Sequence, residues 1–123
     1  MASVQTILTP QKIFGLHPRI RWTAFTRNGT VVFCQMRPRV KSYTSDETDR
    51  SFMELGPLIL TGVSERMTPG ASAGIIESII INFEKDSLLL VRVKDGNLAI
   101  SVDRPDAHVV FQEIESRIKK VFD

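Results

Sequence analysis

His17, Cys34, His108 and the pair Asp103 and Asp106 are the residues of this chain whose types could carry chemistry. Their spacing argues against it. A metal site needs several ligands at set intervals, and neither histidine has ligand-spaced partners. His17 precedes a proline in a basic loop, while His108 falls in the first turn of the last expected helix. Cys34 sits in an expected strand among apolar neighbours, so a buried, inert thiol is expected rather than an activated nucleophile. Asp103 and Asp106 flank Pro105, and helix capping accounts for both. Gly70-Ala-Ser-Ala-Gly74 could suggest a phosphate cradle, but it follows an expected helix and lacks the Lys-Ser/Thr that completes one. It reads as a linker. The chain contains no Gly-x-Ser-x-Gly elbow, no dinucleotide fingerprint and no His-Glu-x-x-His. The sequence therefore predicts a non-enzymatic protein with no catalytic residue, no metal site and no cofactor.

Charge is the more unusual feature. The net charge of +2 is unevenly spread: residues 1–45 hold seven Lys and Arg and no Asp or Glu. Of the totals of 16 basic and 14 acidic residues, the remainder of the chain therefore holds nine basic and fourteen acidic, a balance of −5. Arg19, Arg21, Arg37, Arg39 and Lys41 are expected at one end of a hairpin, away from its turn, as a candidate patch for an anionic partner. A solvated or salt-bridged rim facing the acidic second half is the leading reading. An acidic protein is one alternative. Nucleic acid or an anionic membrane is the other, with Trp22 or Tyr43 available for base stacking.

The elements that must position these residues centre on Ser78 to Val102. Three apolar runs, Ser78 to Glu84, Ser87 to Lys94 and Leu98 to Val102, are separated by turns at Lys85-Asp86 and Asp95-Gly96. They read as an antiparallel meander, with Gly96 supplying a positive φ. Parity puts Ile80, Leu89, Val91, Val93, Leu98, Ile100 and Val102 on one face, and Ile79, Ile81, Phe83, Leu88, Leu90 and Ala99 on the other. Both faces are apolar, so both need cover.

Ahead of the meander, Thr9-Pro10 opens a short helix through Ile13 and Phe14 that ends at Gly15. Residues 1–8 carry no strong signal and are expected to fray. Ile20 to Arg27 and Thr30 to Met36 flank Asn28-Gly29, a strong hairpin signal. Uninterrupted pairing from that turn would put Trp22, Ala24, Val31 and Phe33 on one face and Phe25, Val32, Cys34 and Met36 on the other, with Arg21 opposite Met36. Thr44 to Glu47 is a capping box, followed by Phe52, Leu55, Ile59, Leu60, Val63 and Met67 at helical spacing, with Gly56-Pro57 as a kink or break. A last helix follows Asp103 to Asp106, with Ala107, Val110, Phe111, Ile114, Ile118, Val121 and Phe122 as its apolar stripe. Lys119 and Lys120 sit favourably in its last turn.

The order helix-strand-strand-helix-strand-strand-strand-helix implies a single α/β/α sandwich of the α+β class on a five-stranded antiparallel sheet. Its first and last helices share one face. At 123 residues the chain has the length of one domain. No apolar run approaches the ~20 residues of a membrane helix, no signal peptide is visible, and one cysteine suits a reducing cytoplasm.

This element order, with Ala24 and Asn28-Gly29 in the first hairpin and Asp95-Gly96 leading to Leu98-Ala-Ile-Ser-Val102, resembles the roadblock/dynein light-chain family of the wider profilin- and longin-like group. The first helix is shorter than is usual there, and Gly56-Pro57 interrupts a helix that is commonly regular. The resemblance implies a prokaryotic type of non-enzymatic homodimer that binds or regulates a Ras-like small GTPase, or scaffolds a larger complex. A profilin- or PAS-like small-molecule sensor and a nucleic-acid-binding protein are the alternatives. The dimer interface is expected at Ser78, Ile79, Ile80, Ile81 and Asn82, with Gly56 and Gly62 allowing close approach of the middle helices. That strand would lie at a sheet edge without charge, proline or bulge among its isoleucines.

Overall fold

In the computed structural model, residues 8–28, 30–43, 77–94 and 96–122 are described. The elements are α1 (Pro10–Phe14), β1 (Ile20–Arg27), β2 (Thr30–Met36), β3 (Ser78–Asn82), β4 (Asp86–Val93), β5 (Gly96–Asp103) and α2 (Ala107–Phe122). The strands form one five-stranded antiparallel sheet in the order β2-β1-β5-β4-β3. The expected helix from Thr44 to Met67, with its Gly56-Pro57 interruption, lies outside the described residues, as does Gly70 to Gly74.

Local sequence accounts for the ends of the elements. Thr9 caps α1 through its side chain, which accepts from the Lys12 amide, and Pro10 stands at the first position, where no amide is needed. Gly15 ends the helix at φ −70°, so no left-handed residue is used there. Asn28 takes φ 52° in the first hairpin, as a tight primed turn requires.

The meander keeps its expected facing but not its expected partners. Asn82 pairs with Ser87, and Val93 pairs with Gly96, so each turn falls one residue earlier than the sequence suggests. Pairing then slides by two residues, and a two-residue slide leaves every side chain on its own face. Gly96 is thereby drawn into β5. Its requirement is close approach rather than positive φ: a Cβ there would lie 2.0 Å from the Thr26 carbonyl oxygen and 3.1 Å from the Phe25 ring.

The first hairpin differs. Arg27 pairs with Thr30 and Thr26 with Val31, but a bulge then shifts the register, so that Phe25 pairs with Phe33, Ala24 with Cys34 and Trp22 with Met36. This one-residue slip overturns the expected facing. Phe33 packs near Phe25, ring centroids 5.9 Å apart, while Met36 joins Trp22 and Ala24. Arg21 lies opposite Arg37, whose amide donates to its carbonyl, rather than opposite Met36.

One sheet face, with Ile20, Phe25, Leu89, Val91, Leu98, Ile100 and Val102, packs against Ile13 and Phe14 of α1 and against Ala107, Val110, Phe111, Ile114 and Ile118 of α2. Both described helices therefore cover the same face, as the sequence predicts. Leu8 packs against this core and Val121 is exposed, each contrary to expectation. Full burial of a side chain such as Phe111 or Ile114 contributes about 1.5–3 kcal/mol. The opposite face buries Trp22, Ala24, Leu88, Leu90 and Ala99, with Ile79, Ile81 and Met36 packed beside them.

Candidate functional site

Two surfaces carry the candidate residues: the outer edge of β3 and the sheet end where β1 and β4 begin and β2, β3 and β5 finish. Ser78 to Asn82 pairs with β4 without a register shift, and no described strand lies beyond it. Its hydrogen-bonding sense follows from two flanking bonds. The Glu77 carbonyl accepts from Arg92, and the Phe83 amide donates to Asp86, each at 2.8 Å. Odd-numbered residues thus turn their backbone groups toward β4. Ser78, Ile80 and Asn82, of the other parity, direct theirs outward. Ile80 is 45% exposed and Phe83 44%. Ile79 and Ile81 are half-buried against the opposite face, and the Asn82 side chain accepts from the Ser87 hydroxyl. Gly56 and Gly62 lie outside the described residues.

The second surface brings the five basic residues to one end of the sheet, but gives them different work. Arg37 is not a solvent-facing charge. Its guanidinium donates to the carbonyls of Ile20 at 2.6 Å, Phe14 at 2.9 Å and His17 at 2.8 Å, and lies 5.0 Å from the centre of the Phe14 ring. It ties α1, the following loop and β1 together. Arg19 donates to the carbonyls of Asp103 and Pro105. Arg21 donates to the Lys41 carbonyl at 2.6 Å, pairs with the Asp103 carboxylate at 3.4 Å and stacks over Tyr43 at 4.2 Å. Arg39 and Lys41 are exposed, and among the described residues neither side chain has a bonded partner.

The segment after β2 explains this division. Arg37 to Val40 closes a turn through the Val40 amide and the Arg37 carbonyl at 3.1 Å, with Pro38 second and Arg39 third at φ 69°. That combination is a type II turn, which favours glycine at its third position. The chain then runs across the sheet end to Tyr43, whose hydroxyl donates to Asp103 at 2.8 Å and whose ring lies 5.9 Å from the Lys85 ammonium. The Asp103 carboxylate holding that proton raises the Tyr43 hydroxyl above its ordinary value of 10.0, with partial desolvation adding to the effect. Lys85 and Arg104 belong to this end too, Arg104 donating to the Phe83 carbonyl. Linear sequence offered no signal for either, because only the strand order places them there.

The remaining candidates are spread over the fold. His17 Nδ1 accepts from the Arg19 amide, which leaves Nε2 to donate to Glu113 at 2.9 Å, pinning the loop to α2 beside the Arg117 bond to the Leu16 carbonyl. His108 is exposed on α2, and Cys34 is exposed rather than buried, because β2 is the outer strand. Asp103 ends β5 and holds Arg21 and Tyr43 instead of capping a helix. Asp106 precedes α2 at φ 58°, and its carbonyl accepts from the Val109 and Val110 amides. Trp22 is buried and unavailable for stacking on a base. Among the described residues no cluster of three or more His, Cys, Asp or Glu could hold a metal, and no helix is long and apolar enough to cross a membrane.

No protein-family model matches the sequence, and no curated protein matches it. Solved structures do match by shape. A Roadblock/LC7 domain from Streptomyces avermitilis superposes with a TM-score of 0.63 at 16% identity, over 87% of this chain and 88% of that one. The gliding protein MglB from Thermus thermophilus gives 0.62 at 8% identity, over 96% and 92%. MglB in a tetrameric arrangement gives 0.62 at 8%, over 99% and 94%. At such identities the likeness is one of backbone, and with the strand order above it means that this chain has the roadblock fold.

Proposed function

We propose that the protein is a non-enzymatic homodimeric adaptor or regulator, joined through β3, whose partner is a Ras-like small GTPase. The observation that carries the dimer is the straight outer edge of β3, where Ser78, Ile80 and Asn82 aim backbone donors and acceptors outward. A two-fold axis at Ile80 would set Ile80 against itself and Ser78 against Asn82 of the other copy, continuing the sheet through a self-complementary contact. Each backbone bond so formed contributes about 0.5–1.5 kcal/mol, and the exposed Ile80 side chains would be buried together. The GTPase reading is supported by the shared fold and by the roadblock resemblance in the hairpins.

Light scattering of the purified chain should give about twice its 13.9 kDa mass. Ile80→Lys should give a folded monomer, since like charges would then face each other across the axis. A monomeric wild-type chain at micromolar concentration would remove the dimer. The partner is tested by affinity capture from native lysate with GTP or GDP analogues present. Nucleotide-dependent recovery of a small GTPase is expected, and its absence with the dimer intact would sink that half of the proposal.

A further inference from the structure

At the corner where β2 ends beside the start of β1, no carboxylate among the described residues pairs with Arg37, Arg39 or Lys41. Arg37 spends three of its five N–H donors on carbonyl groups, which leaves its charge in place. Arg39 and Lys41 follow within the same turn, both exposed. The described carboxylates of this sheet end, Glu84, Asp86, Asp103 and Asp106, belong to the β3–β4 turn, the start of β4 and the junction of β5 with α2. Asp103 is committed to Arg21 and Tyr43.

Arg39 adds an independent observation. It sits at φ 69°, in a turn position where glycine would hold the same backbone at lower cost. Its side chain bonds to nothing among the described residues, so the turn itself does not account for an arginine. The turn is also rigidly placed, because Arg37 anchors its first residue and Arg21 holds the Lys41 carbonyl. Two cations are thus presented from a fixed support.

We propose that the Arg37–Lys41 corner docks a carboxylate-rich segment of a partner protein, with Arg39 and Lys41 as the contacting side chains. A protein carboxylate fits better than a nucleic acid. Trp22 is buried and Arg21 already covers one face of the Tyr43 ring, so among the described residues little aromatic surface beside the corner is left for a base. Arg39 and Lys41, whose side chains have no bonded partner among the described residues, also neutralise few phosphates, and affinity for a polyanionic backbone grows with the number neutralised. A membrane fits less well, because exposed Val31 and Val32 lie at the far end of β2, while of the exposed aromatics at this end Tyr43 is tied to Arg21 and Asp103 and Phe83 lies across the sheet after β3.

The test is fluorescence anisotropy of the full chain with a short labelled peptide of Glu, Asp and Ser, against the matching Gln, Asn and Ser peptide. Binding of the acidic peptide alone is expected, weakening as salt rises toward about 0.15 M. Arg39→Glu with Lys41→Glu should weaken it by about tenfold or more, with an unchanged thermal melt. Lys119→Glu with Lys120→Glu, on the exposed side of α2, should leave it intact. Arg39→Gly with Lys41→Gln gives a second variant that keeps the turn and adds no repulsion. The proposal is overturned if the wild-type chain does not bind. Equal weakening by the α2 variant also overturns it, as does tighter binding through the same residues to single-stranded DNA or phosphatidylserine vesicles.

Discussion

The two outer strands of the sheet are built in opposite ways. β2 carries a bulge within its pairing to β1, and it leads into a segment that Arg37 and Arg21 pin across the end of the sheet. β3 pairs in unbroken register, and no charge or proline lies within Ser78–Asn82. A bulge twists an edge and disrupts regular pairing, whereas a straight, uncharged edge is a template for another strand. Under the proposed β3 dimer, the contrast teaches that exposed apolar residues alone would not mark the interface. Val31 and Val32 on β2 are 43% and 48% exposed, much like Ile80, yet only β3 offers a regular ladder beside its exposed side chain.

Five substitutions would break or sharpen that contrast. The largest effect is expected from Gly96→Ala, which acts where the meander meets the first hairpin. The new methyl would collide with the Thr26 carbonyl, which belongs to the backbone and cannot swing aside. A loss of about 3 kcal/mol or more is expected in denaturant unfolding. Near-native stability would mean that β5 and β1 are spaced more widely there. Arg37→Ala comes next, since it unpins the segment that closes off the β2 end. Three carbonyl partners lose their donor, and about 2–3 kcal/mol should go in the same measurement. A change within experimental scatter would show those bonds to be replaceable by water.

The third pair sets edge against edge. Ile80→Lys should halve the solution mass, while Val32→Lys should leave it unchanged and alter stability by no more than about 0.5 kcal/mol. Dissociation by Val32→Lys would reverse the assignment of the two edges. The smallest effect belongs to Arg39→Gly. Relief of the left-handed arginine should stabilise the chain by up to about 1 kcal/mol, offset in part by the greater freedom of glycine when unfolded. A marked loss of stability would show that the Arg39 side chain supports the fold.

Residues 20–43 show why so much of the sheet was legible and part of the patch was not. The Asn28-Gly29 turn was readable because few dipeptides supply its dihedral angles. The bulge beyond it was not, because nothing in Val31 to Phe33 distinguishes a bulged strand from a regular one. Its consequence reached Arg37, which the slipped register sets opposite Arg21, in reach of the Ile20, Phe14 and His17 carbonyls. Charge reversal at Arg37, innocuous if the residue were a surface cation, becomes structural in that position. The basic character of the sheet end was plain from composition, but how its cations divide between structure and surface was not.

Sequence alone determined the kinds of the described elements, their order and the facing of the meander. Hydrophobic periodicity and turn residues are local properties, and side-chain facing repeats every two residues, so two misplaced turns did no harm to it. Tertiary structure decided the partners: the bulge in the first hairpin, the carbonyls that absorb Arg37, the Asp103 that holds Tyr43 and the closeness of Gly96 to Thr26. Each depends on atoms brought together from distant parts of the chain or on a single-residue register choice. Those choices are settled by packing of the whole sheet rather than by any one segment.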